Sequence, residues 1–374
     1  LGTEAALQAR LRAAPDGQRF RAVGAGHSFS PLWGEGDTLL SLEPFDGVAL
    51  EGDQLWLGAG QRLAALGPKL AAWGLALPNQ GDIDSQSLAG ALGTGTHGTG
   101  WALPSLAATV TGLRLIDGTG TLKVLTDPAV LKDARLHLGC LGLITAVALR
   151  LRPAYGLLER NQRVPFEALF EGHHARFRAQ RHGEFWWVPA TDETLFKQLR
   201  EIPTPRTAQL APLAFGEEGT RWGPSWAVFP SDRSARFNEM EYSVPVAAGP
   251  ACFRALRAAI LSAFPKLPWP VEYRIVAGDD GALSPTGGQR VAAISVHQDA
   301  RRPFAPLFDL VEPIFKAHGG RPHWGKRYAW SRGEFEAAYG AGLARFRALR
   351  DRLDPVGRFL TAGLAPLLGD EGDA

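Results

Sequence analysis

The stretch Ser87-Leu-Ala-Gly-Ala-Leu-Gly-Thr-Gly-Thr-His-Gly-Thr-Gly100 decides how this chain is read. Five of its residues are glycine and four carry hydroxyls. Glycine accepts φ > 0 and lets backbone come close to a ligand. Uncovered N–H groups beside Ser and Thr hydroxyls donate well to phosphate and carbonyl oxygens. The segment therefore reads as a loop that cradles something flat or anionic. A flexible linker is the competing reading. Linkers seldom lie between an apolar helix, here 63–77, and a strand-like run, here 107–116.

A second glycine turn lies upstream. Gln18–Val23 reads as a strand running into Gly24-Ala-Gly-His-Ser-Phe-Ser30. This is not a dinucleotide fingerprint, because G-x-G-x-x-G would need glycine at Phe29. No G-x-x-x-x-G-K-[ST] phosphate loop occurs. Two glycines, His27 and the hydroxyls of Ser28 and Ser30 instead make a nest with an imidazole inside it. A lone histidine is more often structural; a second anion-type loop some sixty residues on favours a ligand role.

The chain has 374 residues, which suggests two domains. Its 45% hydrophobic and 21% charged residues are those of an ordinary soluble globular protein. A net charge of +2, with no basic tract along a face, gives no sign of nucleic acid. Two cysteines in apolar settings, Cys140 and Cys252, argue against a disulfide scaffold or a thiolate metal site. No metal is expected. The longest apolar stretch, 138–149, is too short to span a bilayer, and no leader pattern is visible. A cytoplasmic monomer is the expectation, and the missing initiator Met suggests a trimmed start.

Elsewhere the pattern predicts helices over 4–14, 60–74, 130–138, 165–180, 251–264 and 332–353. Strands are expected at 38–42, 47–50, 54–57, 110–116, 122–125 and 144–151, with Asp117-Gly118 as a hairpin turn. Aromatic residues cluster after Tyr155, and extended runs at 184–188 and 225–229 suggest an antiparallel sheet. Residues 202–223 read as loop. Phe185-Trp-Trp187 reads as sheet core more readily than as pocket lining.

Three further segments bring chemistry. In Pro270-Val-Glu-Tyr-Arg274 a strand would put Glu272 and Arg274 on one face, since side chains alternate. Such a pair binds hydroxyls or polarises a carbonyl. Taken alone, it reads better as a surface ion pair of little energetic value. Ala293-Ile-Ser-Val-His297-Gln298 reads as a strand carrying a histidine and an amide, and Arg321-Pro-His-Trp-Gly-Lys326 as a defined turn with two ionisable groups.

Set in order, these pieces resemble the vanillyl-alcohol-oxidase-type flavoproteins, and within them the branch of sugar-1,4-lactone oxidases and alditol oxidases. The matching stretches are Val23-Gly-Ala-Gly-His-Ser28, Gly93-Thr-Gly-Thr-His-Gly-Thr-Gly100, Val271-Glu-Tyr-Arg-Ile-Val-Ala-Gly-Asp-Asp280 with Leu283-Ser-Pro285, Arg321 to Lys326, and Leu353-Asp-Pro-Val-Gly-Arg-Phe359. They are spread across nearly the whole chain, in family order. Two departures stand out: the chain begins close to its first glycine turn, and Gln298 and Asp299 stand where other polar residues are expected.

The resemblance implies an α+β fold: a two-subdomain FAD-binding domain of the vanillyl-alcohol-oxidase type with an antiparallel-sheet substrate (cap) domain. The expected divisions are 1–153 for FAD, 154–326 for the cap, and 327–374 returning to the FAD domain. It implies that Val23, Gly24, Ala25, Gly26 and Ser28 grip the FAD pyrophosphate together with Gly90, Gly93, Gly95, Thr96, His97, Gly98 and Thr99. His27 matches the histidine joined covalently to the flavin 8α-methyl. Ser87 matches a position touching flavin and substrate, Ile144 one backing the cofactor, and His323 one lying against the flavin. Glu272, Arg274 and Lys326 match catalytic and substrate-binding positions, and His297 is expected at the substrate. The implied reaction is hydride transfer from a polyol or sugar-lactone carbinol to flavin N5, with O2 reduced to H2O2. A dehydrogenase using a quinone or cytochrome is the first alternative, and a non-catalytic flavin protein the second.

Overall fold

A computed structural model describes residues 2–30, 38–211, 213, 217–231 and 235–369. Among these residues the strands form an eight-stranded sheet, a five-stranded sheet and two two-stranded pairs. The five-stranded sheet runs Val48–Glu51, Gln54–Gly58, Leu143–Leu149, Val110–Ile116, Leu122–Leu125, all antiparallel. Leu113, Leu115 and Val147 are buried in its core with Leu66 of the helix Leu63–Ala72 and Leu343 and Phe346 of the helix Arg332–Leu353. That last helix starts at a capping box, in which Ser331 and Glu334 satisfy each other's backbone N–H.

The eight-stranded sheet is antiparallel throughout, in the order Gly219–Pro224, Gly156–Arg163, Glu193–Ile202, His182–Val188, Val271–Val276, Val291–Asp299, Phe237–Pro245, Arg321–Pro322. Alternation along these strands sorts the side chains. Phe185, Trp187, Val271, Tyr273 and Ile275 join an apolar layer with Phe253 and Phe308 of the helices Gly249–Ala263 and Ala305–Ala317. Burying a side chain of this size contributes about 1.5–3 kcal/mol. The residues between them, Glu184, Trp186, Glu272 and Arg274, belong to the opposite face. That face is polar yet buried, so something else covers it.

The cover comes from the first part of the chain. Lys197, 1% exposed, reaches Glu184 at 3.0 Å on its own sheet and Asp82 at 3.2 Å on the segment after the Leu63–Ala72 helix. Thr99 Oγ1 donates to Gly183 O, and Trp101 lies between the guanidinium groups of Arg178 and Arg290.

Several expectations need correction. The glycine-rich segment is not a loop throughout: Leu88–Gly93 is a short helix, and only residues 94–99 are irregular. Residues 225–229 are not extended; Ser225–Val228 is a helical turn, held where Arg221 donates to Val228 O and Pro230 O. Asp117-Gly118 is not a two-residue turn. The loop spans Asp117–Thr121, with Asp117 Oδ1 accepting from Thr119 N and Thr121 N. The helix expected over 165–180 breaks at Gly172, whose φ of 59° an L side chain rarely adopts, into Phe166–Phe170 and His173–Arg178. The helix at 130–138 stops at Ala134. Residues 202–223 include the strand Gly219–Pro224, while 212 and 214–216 lie outside the described residues. Both cysteines are buried and free.

Lys197 supplies a stability test. Burial pushes the Glu184 carboxyl up to about 7, against the pull of Lys197. A carboxyl raised above its unfolded value favours the fold at acid pH and loses that contribution as pH rises towards 7. Lys197→Met strands two buried carboxylates, so urea denaturation should show a loss of about 3–5 kcal/mol. The loss should be larger at pH 8 than at pH 5.

Candidate active site

The two glycine segments meet at one atom. A Cβ added to Gly24 would lie 2.1 Å from Ser87 Oγ, so only glycine permits this approach. The same turn is tied to the far end of the chain: Phe29 N donates to Gly325 O at 2.8 Å, and Ser30 Oγ to Trp324 O at 2.7 Å. The turn at His323–Lys326 is in turn held by Trp324, which stacks on Phe335 and donates from Nε1 to Leu283 O at 2.8 Å. The segment 277–287 thus acts as a buttress. Arg135 pairs with Asp279 and Asp280, and Ser105 Oγ donates to Asp279.

Two cavities open where these pieces converge. One, of about 290 Å³, is walled by Val23, Gly24, Ala25, Ser87, Gly90, Gly93 and Ile144, with Arg21, Gly139 and Gly142. The other, of about 940 Å³, holds Glu239, Glu241, Glu272, Arg274, His97, Thr96, His323 and Lys326. Gly26, His27, Ser28, Gln86 and Thr94 line both, so the two are continuous. The narrower cavity suits the pyrophosphate of FAD. Its wall is backbone wherever a Cβ would collide: with Ser87 Oγ at Gly24, with the His137 ring at Gly93 and with Arg21 at Gly139. Close backbone approach beside the Arg21 guanidinium is compatible with a diphosphate.

The larger cavity carries a matched set of charges. Arg274 sits between Glu272 at 3.3 Å and Glu241, and Ser295 Oγ donates to Glu241 at 2.7 Å. Trp186 Nε1 donates to the other Glu272 oxygen at 3.1 Å. His97 places Nε2 2.7 Å from Glu241 and Nδ1 2.9 Å from Gly98 O. Lys326 pairs with Glu239, whose second oxygen lies 3.7 Å from His297 Nε2. All of these residues except Lys326 are at least nine-tenths buried. Burial opposes each carboxylate's charge, but Arg274 and His97 hold Glu241 well below the usual range, and Lys326 and His297 hold Glu239 at about 2. Burial pushes the His323 imidazole down to about 3; its Nδ1 accepts from Gly325 N, which leaves the proton on Nε2.

The expected site residues therefore divide. Glu272 and Arg274 form a buried pair, not a surface one. Ser87 lines the narrower cavity, apart from Glu272, Arg274 and Lys326. His297 is buried behind Glu239, donates from Nδ1 to Pro270 O, and does not line the large cavity. Gly95, Gly98 and Thr99 line neither: Gly98 packs on Gln80 O, and Thr99 staples the segment to the eight-stranded sheet. Glu239 and Glu241 escaped sequence reasoning. Their signal is the pair of acids at alternate positions 239 and 241 of Phe237–Pro245, interleaved with Met240, Tyr242 and Val244.

The Gly24 contact can be checked directly. Gly24→Ala should lower flavin content, read as the ratio of absorbance at about 450 nm to that of protein, because Ser87 must move. Adding Ser87→Gly removes the obstructing hydroxyl and should restore it. Wild-type flavin content in Gly24→Ala would show that the contact is slack.

Comparison with known proteins agrees with this geometry. A family model described as an FAD binding domain matches residues 1–126, and one described as D-arabinono-1,4-lactone oxidase matches residues 204–365. L-gulono-1,4-lactone dehydrogenase of Mycobacterium tuberculosis is 33% identical, over 96% of this chain and 92% of that protein. Alditol oxidase of a Streptomyces species is 30% identical, over 93% and 90%. L-gulonolactone oxidase of Bos taurus is 28% identical, over 93% and 89%. In fold, the chain is similar to cholesterol oxidase of B. sterolicum, with a TM-score of 0.79 at 17% identity over 94% of this chain and 90% of that one. The chain belongs to the FAD-dependent oxidoreductase family that contains the sugar-1,4-lactone oxidases and dehydrogenases and alditol oxidase.

Proposed function

We propose that this protein oxidises a CH–OH carbon of a sugar-derived substrate, an aldono-1,4-lactone or an alditol. The observation that carries this is the buried Glu272–Arg274–Glu241 row facing the same cavity as His27, His323 and Lys326. FAD would be held by Val23 to Ser28, by Ser87, Gly90, Gly93 and Ile144, and by His323. His27 is the residue we assign to a covalent link. When bound, FAD supplies the two-electron acceptor for a hydride from the carbinol carbon.

The chain's own residues then have separable tasks. Arg274, locked between two carboxylates, presents a fixed donor fork to vicinal substrate oxygens. Lys326 is paired with the ionised Glu239, so it serves as a donor to substrate and not as a base. Glu272 is left as the acceptor of the hydroxyl proton. Its two oxygens face Trp186 and Arg274, and the residue lines the large cavity. Because Glu239 and Glu241 stay ionised, neither titrates near neutrality.

Dioxygen as the electron acceptor is the first reading, with H2O2 as product. The M. tuberculosis relative, named as a dehydrogenase, favours a second in which electrons leave to another carrier. Xylitol, sorbitol, gulonolactone, galactonolactone and arabinonolactone should be screened anaerobically for flavin bleaching. At least one should bleach the protein; rapid recovery of colour in air marks an oxidase, and slow recovery a dehydrogenase. Glu272→Gln should slow flavin reduction by roughly 10²–10⁴-fold. Lys326→Met should weaken substrate binding and also slow reduction. No bleaching by any of the five would remove the substrate class, and unchanged reduction in Lys326→Met would remove the role given to that residue.

A further inference from the structure

The mechanism leaves one polar contact unused. Ser85 Oγ lies 2.9 Å from His27 Nε2, and both residues line the larger cavity. We propose that Ser85 is a positioning residue for joining flavin to His27, fixing Nδ1 as the nitrogen that bonds. This rests on the reading that His27 carries the covalent link.

Both ends of the contact are anchored. The backbone at Ser85 is zipped to the start of the Leu63–Ala72 helix: Leu63 N donates to Gln86 O at 3.0 Å and Ala64 N to Asp84 O at 2.8 Å. Arg62 Nη1 donates to Ser85 O at 3.0 Å, while its other amino group pairs with Glu43 at 2.6 Å. On the other side, Phe29 and Ser30 tie the His27 turn to Trp324 and Gly325. A hydrogen bond between two fixed backbones sets the ring plane and occupies Nε2, whichever of the two atoms donates. With Nε2 engaged by Ser85, Nδ1 is the nitrogen left to bond, and in the tautomer whose Nε2–H donates to Ser85 Oγ its lone pair is free to attack.

The surroundings keep the ring in that neutral form. Burial lowers the His27 imidazole below its ordinary value, and the charges of Arg62 and Lys326 lower it further. Glu43 and Glu239 face those cations and temper the effect without reversing it. In the joining step a bond forms between His27 Nδ1 and the flavin 8α carbon, and one C–H bond of the 8α-methyl breaks. The imidazole and methyl hydrogens leave as protons, the two electrons go to the isoalloxazine and from it to dioxygen, and O2 with two protons and two electrons leaves as H2O2.

The test compares wild type, Ser85→Ala and Ser85→Thr, each made in riboflavin-limited cells and then given FAD in air. Covalent flavin is followed by colour retained in the acid precipitate and by intact mass. Wild type should gain the flavin mass. Ser85→Ala should attach it about tenfold more slowly, the effect of one lost hydrogen bond. Ser85→Thr keeps the hydroxyl and should return to near the wild-type rate, which a merely structural role for the side chain does not require. Fluorescence quenching of added FAD checks that Ser85→Ala still binds the cofactor. If Ser85→Ala attaches flavin at the wild-type rate, the proposal fails while the covalent reading stands. If acid releases all flavin from wild type, the covalent reading itself fails.

Discussion

A guanidinium taken out of water has to be answered by charge, and Arg274 shows how much structure that requirement imposes. Burial opposes its charge, and Glu272 and Glu241 overcome that opposition. Those carboxylates need partners of their own, which brings in Trp186, Ser295 and His97. The neighbouring Glu239 repeats the demand and takes Lys326. Each carboxylate of the row has at least one donor or cation beside it, while Arg274 Nε is buried without a hydrogen-bond partner. Such networks are weak evidence for net stability, because desolvation offsets attraction. They do give a rigid array of known polarity, which is what a substrate rich in hydroxyls requires.

The sheet is the device that makes this array possible. A strand separates neighbours to opposite faces, so Val271, Tyr273 and Ile275 enter an apolar layer while Glu272 and Arg274 do not. Register then aligns the charges across strands. Glu241 pairs in register with Ser295 and Glu239 with His297, and Glu272 stands opposite Trp186 on its other side. The polar face is buried around its cavity because the chain's first part is fastened over it, by Lys197 to Asp82 and by Thr99 to Gly183. The glycine segments therefore serve two purposes. Their first residues wall the narrower cavity, and their last ones close the seam above the sheet.

Much of the fold was legible in the residues. The strands at 110–116 and 143–149 and the helices at 4–12, 63–72 and 249–263 follow from local periodicity, and each lies within about three residues of its expected place. The errors have a common cause. Residues 225–229 look extended but curl because Arg221 gathers the carbonyls of Val228 and Pro230, a contact no local pattern encodes. Leu88–Gly93 is helical despite Gly90 and Gly93, within a tightly packed setting where Ala91 and Leu92 are fully buried. Tertiary packing there overrides the weak helix propensity of glycine.

The sequence by itself determined the chemical inventory: two glycine segments, an imidazole in the first, and Glu272, Arg274, His323 and Lys326 in an order that resembles one flavoprotein family. It did so because backbone exposure and strand alternation are local properties. Only the tertiary structure decided which of those groups share a cavity. It brought Glu239 and Glu241 in from a strand whose alternating acids look like a solvated face. It moved His297 to a supporting position and put Thr99 on the seam. The physical reason is that a side chain's burial, and hence its charge state, depends on what packs over it, and that cover comes from residues more than a hundred positions away.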